Sequence, residues 1–462
     1  MSVCFVSLGL EDTKWRFFYF LLKEILIMKN SNLLKDYTKY VTFNVLGMIA
    51  LSFYIFADTY FISKNLGTMG LAALNISFPI YTLISAIGLM IGIGGASIFK
   101  IYKEKNFIKK TKKTFTHSIK FALIIGIFLA LLGIFFSKNI TYYLGADDST
   151  FPLGNTYLKT IMIFSPFFIL NNIFLAFTRN DGYPKISMIA MMIGSFSNVI
   201  LDYIFIFIYH WGMFGAAFAT GLAPIISLAI LLFHTYKNSQ YIYWNKEKIS
   251  HTKIIKICKI GLSSFITEFS SGIVIVIFNI IILKYNGNIG VAAYSVVANL
   301  ALIVTAIFTG ISQGVQPMVS QEYARKNKKN IYILLKYSFV LSSLSAIFIY
   351  FILNFYSYNI IKAFNKEGNQ ELFSLASKGM LLYYIGFIFS GFNIVVATIF
   401  SATDNPNTGF FISIIRGIIL LIPSVIFLSF FLGINGVWLS FPMTELLTFI
   451  LVFYLIKKKM YI

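Results

Sequence analysis

The ten residues KNLGTMGLAA (64–73) return 220 positions later as KYNGNIGVAA (284–293). The same spacing relates Gly94 to Gly314. Repeats at a fixed spacing mark copies of one structural unit. The chain is therefore predicted to consist of two halves that are built alike.

The composition excludes a water-soluble protein for most of the chain. Of the 462 residues, 58% are apolar and only 12% are charged, about half of the roughly 25% that is usual in soluble domains. A helix crosses a membrane with about 20 mainly apolar residues. Twelve stretches meet this requirement, six in each half: 40–62, 72–99, 118–137, 156–178, 186–209, 212–236, 257–283, 289–318, 331–355, 372–402, 408–432 and 434–456.

These spans predict an all-α integral membrane protein. Because each half has an even number of spans, both halves lie in the membrane in the same orientation, as two pseudo-symmetric six-helix bundles around a central cavity. We expect the bundles to be 28–236 and 257–462, joined by a cytoplasmic linker, 237–256. Residues 1–27 are predicted to be a non-native extension or an interfacial helix.

The net charge of +21 predicts the topology. With the N terminus placed inside, the inner segments hold 27 Lys and Arg residues and the outer loops hold five. Cytoplasmic loops carry such an excess, so both termini are expected to be cytoplasmic. The basic residues are explained by lipid headgroups and topology, and no nucleic acid is expected to bind.

Four oxygen-bearing side chains fall inside the spans of the first half: Asp58, Asn198, Asp202 and Thr220. A carboxylate at the centre of a membrane helix costs roughly 2.5–3.5 kcal/mol, so Asp58 and Asp202 are functional candidates. At 1.5 Å per residue all four lie roughly 6–17 Å below the outer end of their spans. Together they suit Na⁺ or a shared proton. Asn198 and Thr220 could also be ordinary hydrogen-bond partners between helices.

The second half holds Glu268, which we take as its only carboxylate at mid-membrane. Glu268 is predicted to attract cations to the central cavity, or else to be a buried, hydrogen-bonded carboxyl group. Arg416 is expected to be structural, either extending towards the inner surface or pairing with Asp404. Further candidates for the cavity wall, each of which could instead serve packing, are Tyr54, Tyr81, Met191, Phe265 and Asn393.

Several motifs resemble those of the multidrug and toxin extrusion (MATE) family. They are FADTYFI (56–62), RNDGYPK (179–185), NVILDYI (198–204), GMFGAAFAT (212–220) and GISQGVQP (310–317). The resemblance runs from about residue 28 to 456 and looks closest to the bacterial branch of staphylococcal-type multidrug exporters.

This resemblance implies a Na⁺- or H⁺-coupled antiporter that exports amphipathic, often cationic compounds across the bacterial cytoplasmic membrane by alternating access. It further implies a functional monomer without a cofactor. Asp58, Asn198, Asp202 and Thr220 would form the cation site of the N-terminal bundle. Glu268 would be the glutamate of the seventh helix. Some members carry a carboxylate in the tenth helix, but residues 375–402 contain none, so coupling is expected in the N-terminal bundle.

Two alternatives to an antiporter fit the sequence less well. A lipid-linked oligosaccharide flippase shares the architecture but needs several cationic residues in its cavity, and the first half offers none. A membrane-embedded transferase needs an Asp-rich motif or a buried His–Asp pair, and neither is evident. The histidines and cysteines show no metal-ligand spacing. We therefore predict no enzyme, no catalytic residues and no metal site other than one for Na⁺.

Overall fold

A computed structural model describes residues 31–242, 248–365, 368–403 and 405–460 of the chain. Predictions for residues 1–27 and for Asp404 lie outside these ranges. Within them the chain is helical and contains no strand. The helices are α1 Asn32–Gly67, α2 Met69–Glu104, α3 Ile108–Tyr143, α4 Phe151–Ile163, α5 Ser165–Asn180, α6 Pro184–Ile208, α7 Gly212–Asn238, α8 His251–Gly287, α9 Ile289–Ala324, α10 Lys328–Phe355, α11 Ser357–Phe364, α12 Gln370–Ala402, α13 Pro406–Leu432 and α14 Ile434–Lys459.

Eleven of these helices are long and apolar enough to cross a membrane, and α4 with α5 adds a twelfth span if the bent pair is counted as one. The prediction of a twelve-span, all-α membrane protein is thereby confirmed. The helices are longer than the apolar stretches that predicted them, because their polar ends continue beyond the hydrocarbon region. Thus α7 ends at Asn238 and α8 begins at His251, inside the predicted linker. The division into bundles at 236 and 257 stays a prediction.

The bend between α4 and α5 directs α5 towards the centre of the molecule. The two helices meet at Phe164 with an angle of 50°, and Pro166 occupies the first turn of α5, where proline is tolerated. The hydroxyl of Ser165 donates to the carbonyl oxygen of Gly126 on α3 at 2.9 Å, which satisfies a polar group at the bend. As a result, Phe168 and Asn171 of α5, among others, line a cavity between the lobes, the smaller of the two described below.

Each lobe has its own hydrophobic core, but the beginnings of α1 and α8 pack into the core of the opposite lobe. One core is formed mainly by α2–α7 and the other mainly by α8–α14. Tyr37 and Val41, at the beginning of α1, nevertheless belong to the core of the second lobe. Ile257 and Ile260, at the beginning of α8, belong to the core of the first. Each lobe therefore holds the beginning of the other lobe's first helix.

Glycines allow this exchange. A Cβ atom added to Gly94 on α2 would overlap the carbonyl oxygen of Ile257 on α8. A Cβ atom added to Gly314 on α9 would lie 2.7 Å from the Cα atom of Val41 on α1. Gly94 and Gly314 are the glycines related by the repeat, so both lobes use the same backbone-to-backbone contact. Only glycine permits so close an approach.

Polar contacts join the lobes at the end of the molecule where α2 and α9 terminate, which we call the basic end. Arg325, after α9, binds Glu104 of α2 at 3.0 Å. Deeper in the protein, Gln316 of α9 donates to Ser97 of α2 at 2.8 Å and accepts from Asn180 of α5 at 2.9 Å. The lobes are therefore closed against each other at the basic end.

Towards the opposite end the lobes enclose two cavities. The larger one, of about 990 Å³, extends to Ser63, Lys64 and Leu71, which flank the break between α1 and α2. The smaller one, of about 260 Å³, lies adjacent and shares Tyr54 and Tyr81 with it. The two cavities therefore adjoin, and the larger one reaches towards the end opposite the closed contact.

Candidate functional site

Two buried carboxylates face each other in the first lobe. Asp58 on α1 is 5% exposed and Asp202 on α6 is fully buried. The two carboxylates interact electrostatically, and Tyr157 of α4 lies near both of them. Each carboxylate keeps one oxygen, Oδ1, without a hydrogen-bond partner among the described residues. Buried acceptors of this kind are rare in folded proteins, so these oxygens fit a bound cation or proton.

Asn198 and Thr220 complete the group. In the orientation that satisfies both ends of its amide, Asn198 donates to Asp202 Oδ2 at 3.1 Å and accepts from the backbone N–H of Thr220 at 3.2 Å. The amide therefore holds one oxygen of Asp202 and leaves the other towards Asp58. The structure brings together all four residues that the sequence had singled out.

Small residues explain how α6 and α7 approach closely enough to build this group. Asn198 and Asp202 are four residues apart and so share one face of α6. Gly194 lies one turn before Asn198, and a Cβ atom there would be 3.1 Å from the carbonyl oxygen of Ala223 on α7. Directly after Asp202, α6 widens into a π-helical turn, Ile204–Ile208; such turns frequently mark functional sites.

The group lies at the edge of the larger cavity. Asp58 and Thr220 line this cavity, and Asn198 and Asp202 lie buried behind them. A cation entering the cavity would therefore meet Asp58 first. Among the described residues no cluster of three or more His, Cys, Asp or Glu side chains could hold a metal ion, so any cation here would rely on two carboxylates with amide and hydroxyl oxygens.

Glu268 lines the smaller cavity at the junction of the lobes. The Ser85 hydroxyl of α2 donates to Glu268 Oε1 at 3.1 Å, which links the first lobe to α8. Tyr54 and Tyr81 line both cavities and share a hydrogen bond of 2.8 Å between their hydroxyls. Met191 lines the smaller cavity as well.

Two further candidates for the cavity wall lie elsewhere. Phe265 lines neither of the two cavities and stacks on Phe269 at a ring distance of 5.6 Å. Asn393 is fully buried and donates to the Oε2 atom of Glu445 at 2.8 Å.

Glu445 is the residue that sequence reasoning missed. It lies eleven residues into α14, about 16 Å from the beginning of the helix, and its side chain is 2% exposed. The expectation that Glu268 is the only mid-membrane carboxylate of the second half is therefore wrong. Its position in the middle of an apolar span was the signal that could have identified it.

Arg416 of α13 is the partner of Glu445. Its Nε and Nη2 atoms donate to Glu445 Oε1 at 3.0 and 2.6 Å, and Nη2 also donates to the Ser390 hydroxyl at 3.0 Å. Both charged residues line the smaller cavity. In place of the predicted extension to the inner surface, Arg416 forms an ion pair at the level of the cavity, and the predicted pair with Asp404 lies outside the described residues.

Two like-built helical lobes around a cavity, with carboxylates buried in otherwise apolar spans, define a membrane transporter. The MatE family model matches residues 45–204 and 263–452, and this chain belongs to that family. MatE proteins are transporters and not enzymes, so the transferase alternative is set aside.

Similar proteins agree with this assignment. The multidrug export protein MepA of Staphylococcus saprophyticus is 25% identical over 451 residues, which cover 95% of this chain and 97% of that protein. MepA of Staphylococcus aureus strain MRSA252 is 26% identical and covers 90% of this chain and 92% of its own. The outward-facing structure of a multidrug resistance MATE transporter shares the fold with a TM-score of 0.87 at 18% identity, covering 94% of this chain and 98% of its own.

Proposed function

We propose that this protein is a Na⁺- or H⁺-coupled antiporter that exports amphipathic, often cationic compounds across the cytoplasmic membrane by alternating access. One observation carries the proposal: Asp58 and Asp202 each keep a buried oxygen without a partner among the described residues, at the edge of a cavity that adjoins the one lined by Glu268. The curated relatives, which are named multidrug export proteins, support the same direction of transport.

The coupling ion acts on α1. A cation or proton that enters the larger cavity neutralises Asp58 and Asp202, which removes their mutual repulsion and draws α1 towards α6. Tyr54 lies one turn before Asp58 on the same face of α1, and its hydroxyl shares a hydrogen bond with the hydroxyl of Tyr81. Both tyrosines line the smaller cavity, which we take as the substrate cavity. A movement of α1 at Asp58 is therefore transmitted to the wall of the substrate cavity, where it lowers the affinity for the exported compound.

The substrate cavity favours flat, apolar cations. Its wall combines the carboxylate of Glu268 with aromatic and aliphatic side chains such as Tyr81 and Phe168. Cations are attracted both by a carboxylate and by aromatic faces. A flippase is not favoured. Among the described residues, the only Lys and Arg side chains that line the two cavities are Lys64 and Arg416, and Arg416 is bound to Glu445.

The orientation follows from the charges. We place the basic end and both termini in the cytoplasm, since basic loops stay on that side. The larger cavity then faces outwards, where the coupling ion is more concentrated. One chain contains both cavities, so the proposed unit is a monomer.

The test is efflux of a fluorescent monocation from inside-out vesicles, driven by an imposed Na⁺ gradient or by a pH gradient alone. The parent protein should respond to at least one gradient. The double variant Asp58→Asn/Asp202→Asn should lose at least tenfold in gradient-driven rate. The two amides carry no charge, so neither can release or take up a coupling ion by changing its charge. Ser149→Ala, in the loop before α4, is the control and should keep the parent rate. Unchanged ion dependence in the double variant would refute the proposal.

A further inference from the structure

The second lobe contains a buried ion pair, Arg416 with Glu445. Replacing a buried ion pair with apolar residues of similar size is often neutral or stabilising, and ionisable groups within membrane spans commonly mark pathways of transported compounds. Arg416 and Glu445 lie about 15–17 Å from the beginnings of α13 and α14. They are therefore at mid-membrane, at the level of the substrate cavity.

Both carboxylate oxygens of Glu445 accept hydrogen bonds from protein groups. Its Oε1 atom accepts from Arg416, and its Oε2 atom accepts from the amide of Asn393, which also donates to the backbone oxygen of Glu445 at 2.9 Å. The guanidinium group of Arg416 thus occupies the position beside Glu445 in which a free cation could bind. At this position a protein cation already neutralises the charge of the carboxylate.

Only some of the N–H donors of Arg416 are used in hydrogen bonds to the described residues. Guanidinium carries five N–H donors, and the structure uses Nε and Nη2 for Glu445 and Ser390. Nη1 makes no hydrogen bond to the described residues, and the side chain, 11% exposed, lines the smaller cavity. The two fixed contacts orient the planar group and leave the Nη1 donors for a ligand in the cavity.

Arg416 and Glu268 belong to the same cavity wall. Ser413, one turn before Arg416, bonds the hydroxyls of Ser263 and Thr267 on α8 at 2.8 and 3.1 Å. Thr267 directly precedes Glu268, and both line the smaller cavity. A carboxylate and a guanidinium donor therefore face one space from two helices that are hydrogen-bonded to each other.

We propose that Arg416, held by Glu445 and Ser390, forms a second substrate contact that accepts the carboxylate or other anionic end of a zwitterionic amphiphile whose cationic end is attracted by Glu268. The inference rests on the proposed export function and refines its substrate class. Asn393 and Glu445 are positioning residues, because they reach the substrate only through Arg416.

The test compares rhodamine B, a zwitterion with a free carboxylate, with its ethyl ester, which is a monocation of nearly the same shape. Export from inside-out vesicles and binding to the purified protein are measured for both dyes. In Arg416→Gln/Glu445→Gln, which removes both charges together, we expect export and binding of rhodamine B to fall about tenfold relative to the ester, since a charge-assisted hydrogen bond is lost. Arg416→Lys keeps the charge but not the fork and should lose about threefold.

The outcomes separate the two levels of inference. Failure of the parent protein to export the ester under any gradient refutes the proposed function itself. If the ester is exported but the ratio of the two dyes is the same in the parent and in the double variant, the second contact is refuted. Equal losses for both dyes, with a lowered melting temperature, indicate a purely structural pair and also overturn it. If the double variant does not reach the membrane, the ratio in Arg416→Lys decides in the same way.

Discussion

At the scale of single residues, scarcity identified the site. The chain holds only 17 Asp and Glu residues, so Asp58 and Asp202 could be selected from the sequence by their position within apolar spans. The structure adds the relation between them, with one oxygen of Asp202 fixed by Asn198 and the other free. No local pattern encodes that relation, because it depends on the rotation of α1 against α6.

Glu445 shows the reverse case. The sequence displays it as plainly as Glu268, yet its meaning depends on Arg416, 29 positions earlier in a different helix. The pairing of two helices in the membrane is decided by packing and not by the periodicity of either helix. The sequence therefore predicted a structural role for Arg416, at the inner surface or paired with Asp404, whereas the structure places it in the cavity wall.

Glu268 yields a prediction at this scale. Glu268→Gln should weaken binding of tetraphenylphosphonium, a lipophilic monocation, by about tenfold, because the cavity loses the carboxylate that attracts the cation. Equilibrium dialysis with the purified protein measures the affinity. Ser85→Ala is the matched control, since it removes the hydrogen bond to Glu268 but keeps the charge. An equal loss in both variants would contradict an electrostatic role of Glu268.

At the scale of helices, a proline and two glycines lie at breaks in the helical spans. Pro166 marked the bend between α4 and α5, and the repeated glycines Gly67 and Gly287 mark the breaks after α1 and α8, where both adopt a positive φ. The π-helical turns Ile204–Ile208 and Ile415–Ile419 were not predicted. They depend on how a helix fits its neighbours, and the two turns, IFIFI and IRGII, share no sequence pattern beyond isoleucine.

The packing of α6 on α7 gives a graded prediction. Gly194→Ala introduces a Cβ atom at 3.1 Å from Ala223 and Ser227 and should be tolerated with a small loss. Gly194→Leu should separate the helices, destabilise the protein by about 1–3 kcal/mol and move Asn198 away from Thr220. Thermal unfolding in detergent measures stability, and the added stabilisation by NaCl or by low pH reports on the ion site. A parent-like ion effect in Gly194→Leu would show that this packing does not position the site.

At the scale of the whole molecule, the repeat predicted two lobes with the same orientation, and the structure has them. The repeat did not reveal that the lobes exchange the beginnings of α1 and α8. Polar contacts at the basic end hold the lobes in this arrangement. The contacts that hold the basic end together are therefore the ones to disturb.

Arg325→Gln should loosen the closed basic end. Its partner Glu104 belongs to the other lobe, but Arg325 is half exposed, so the pair contributes less than about 1 kcal/mol and the population of the open state should rise less than about fivefold. Spin labels at Lys105 and Lys326, both exposed, measure the distance between the lobes. Lys329→Gln removes the same charge from an exposed position and should leave the distance distribution unchanged. A parent-like distribution in Arg325→Gln would count against an ionic contribution to closure.

The glycine contacts at Gly94 and Gly314 have a bioenergetic consequence. Where two backbones touch, no side chain can swing aside and no room remains for a file of water molecules. The route through the molecule is thus interrupted at the basic end while the cavity still reaches the opposite one. In the proposed antiporter, a file of water would let protons leak and would dissipate the gradient that drives export. The close backbone contacts at the basic end would therefore preserve that gradient while no substrate is bound.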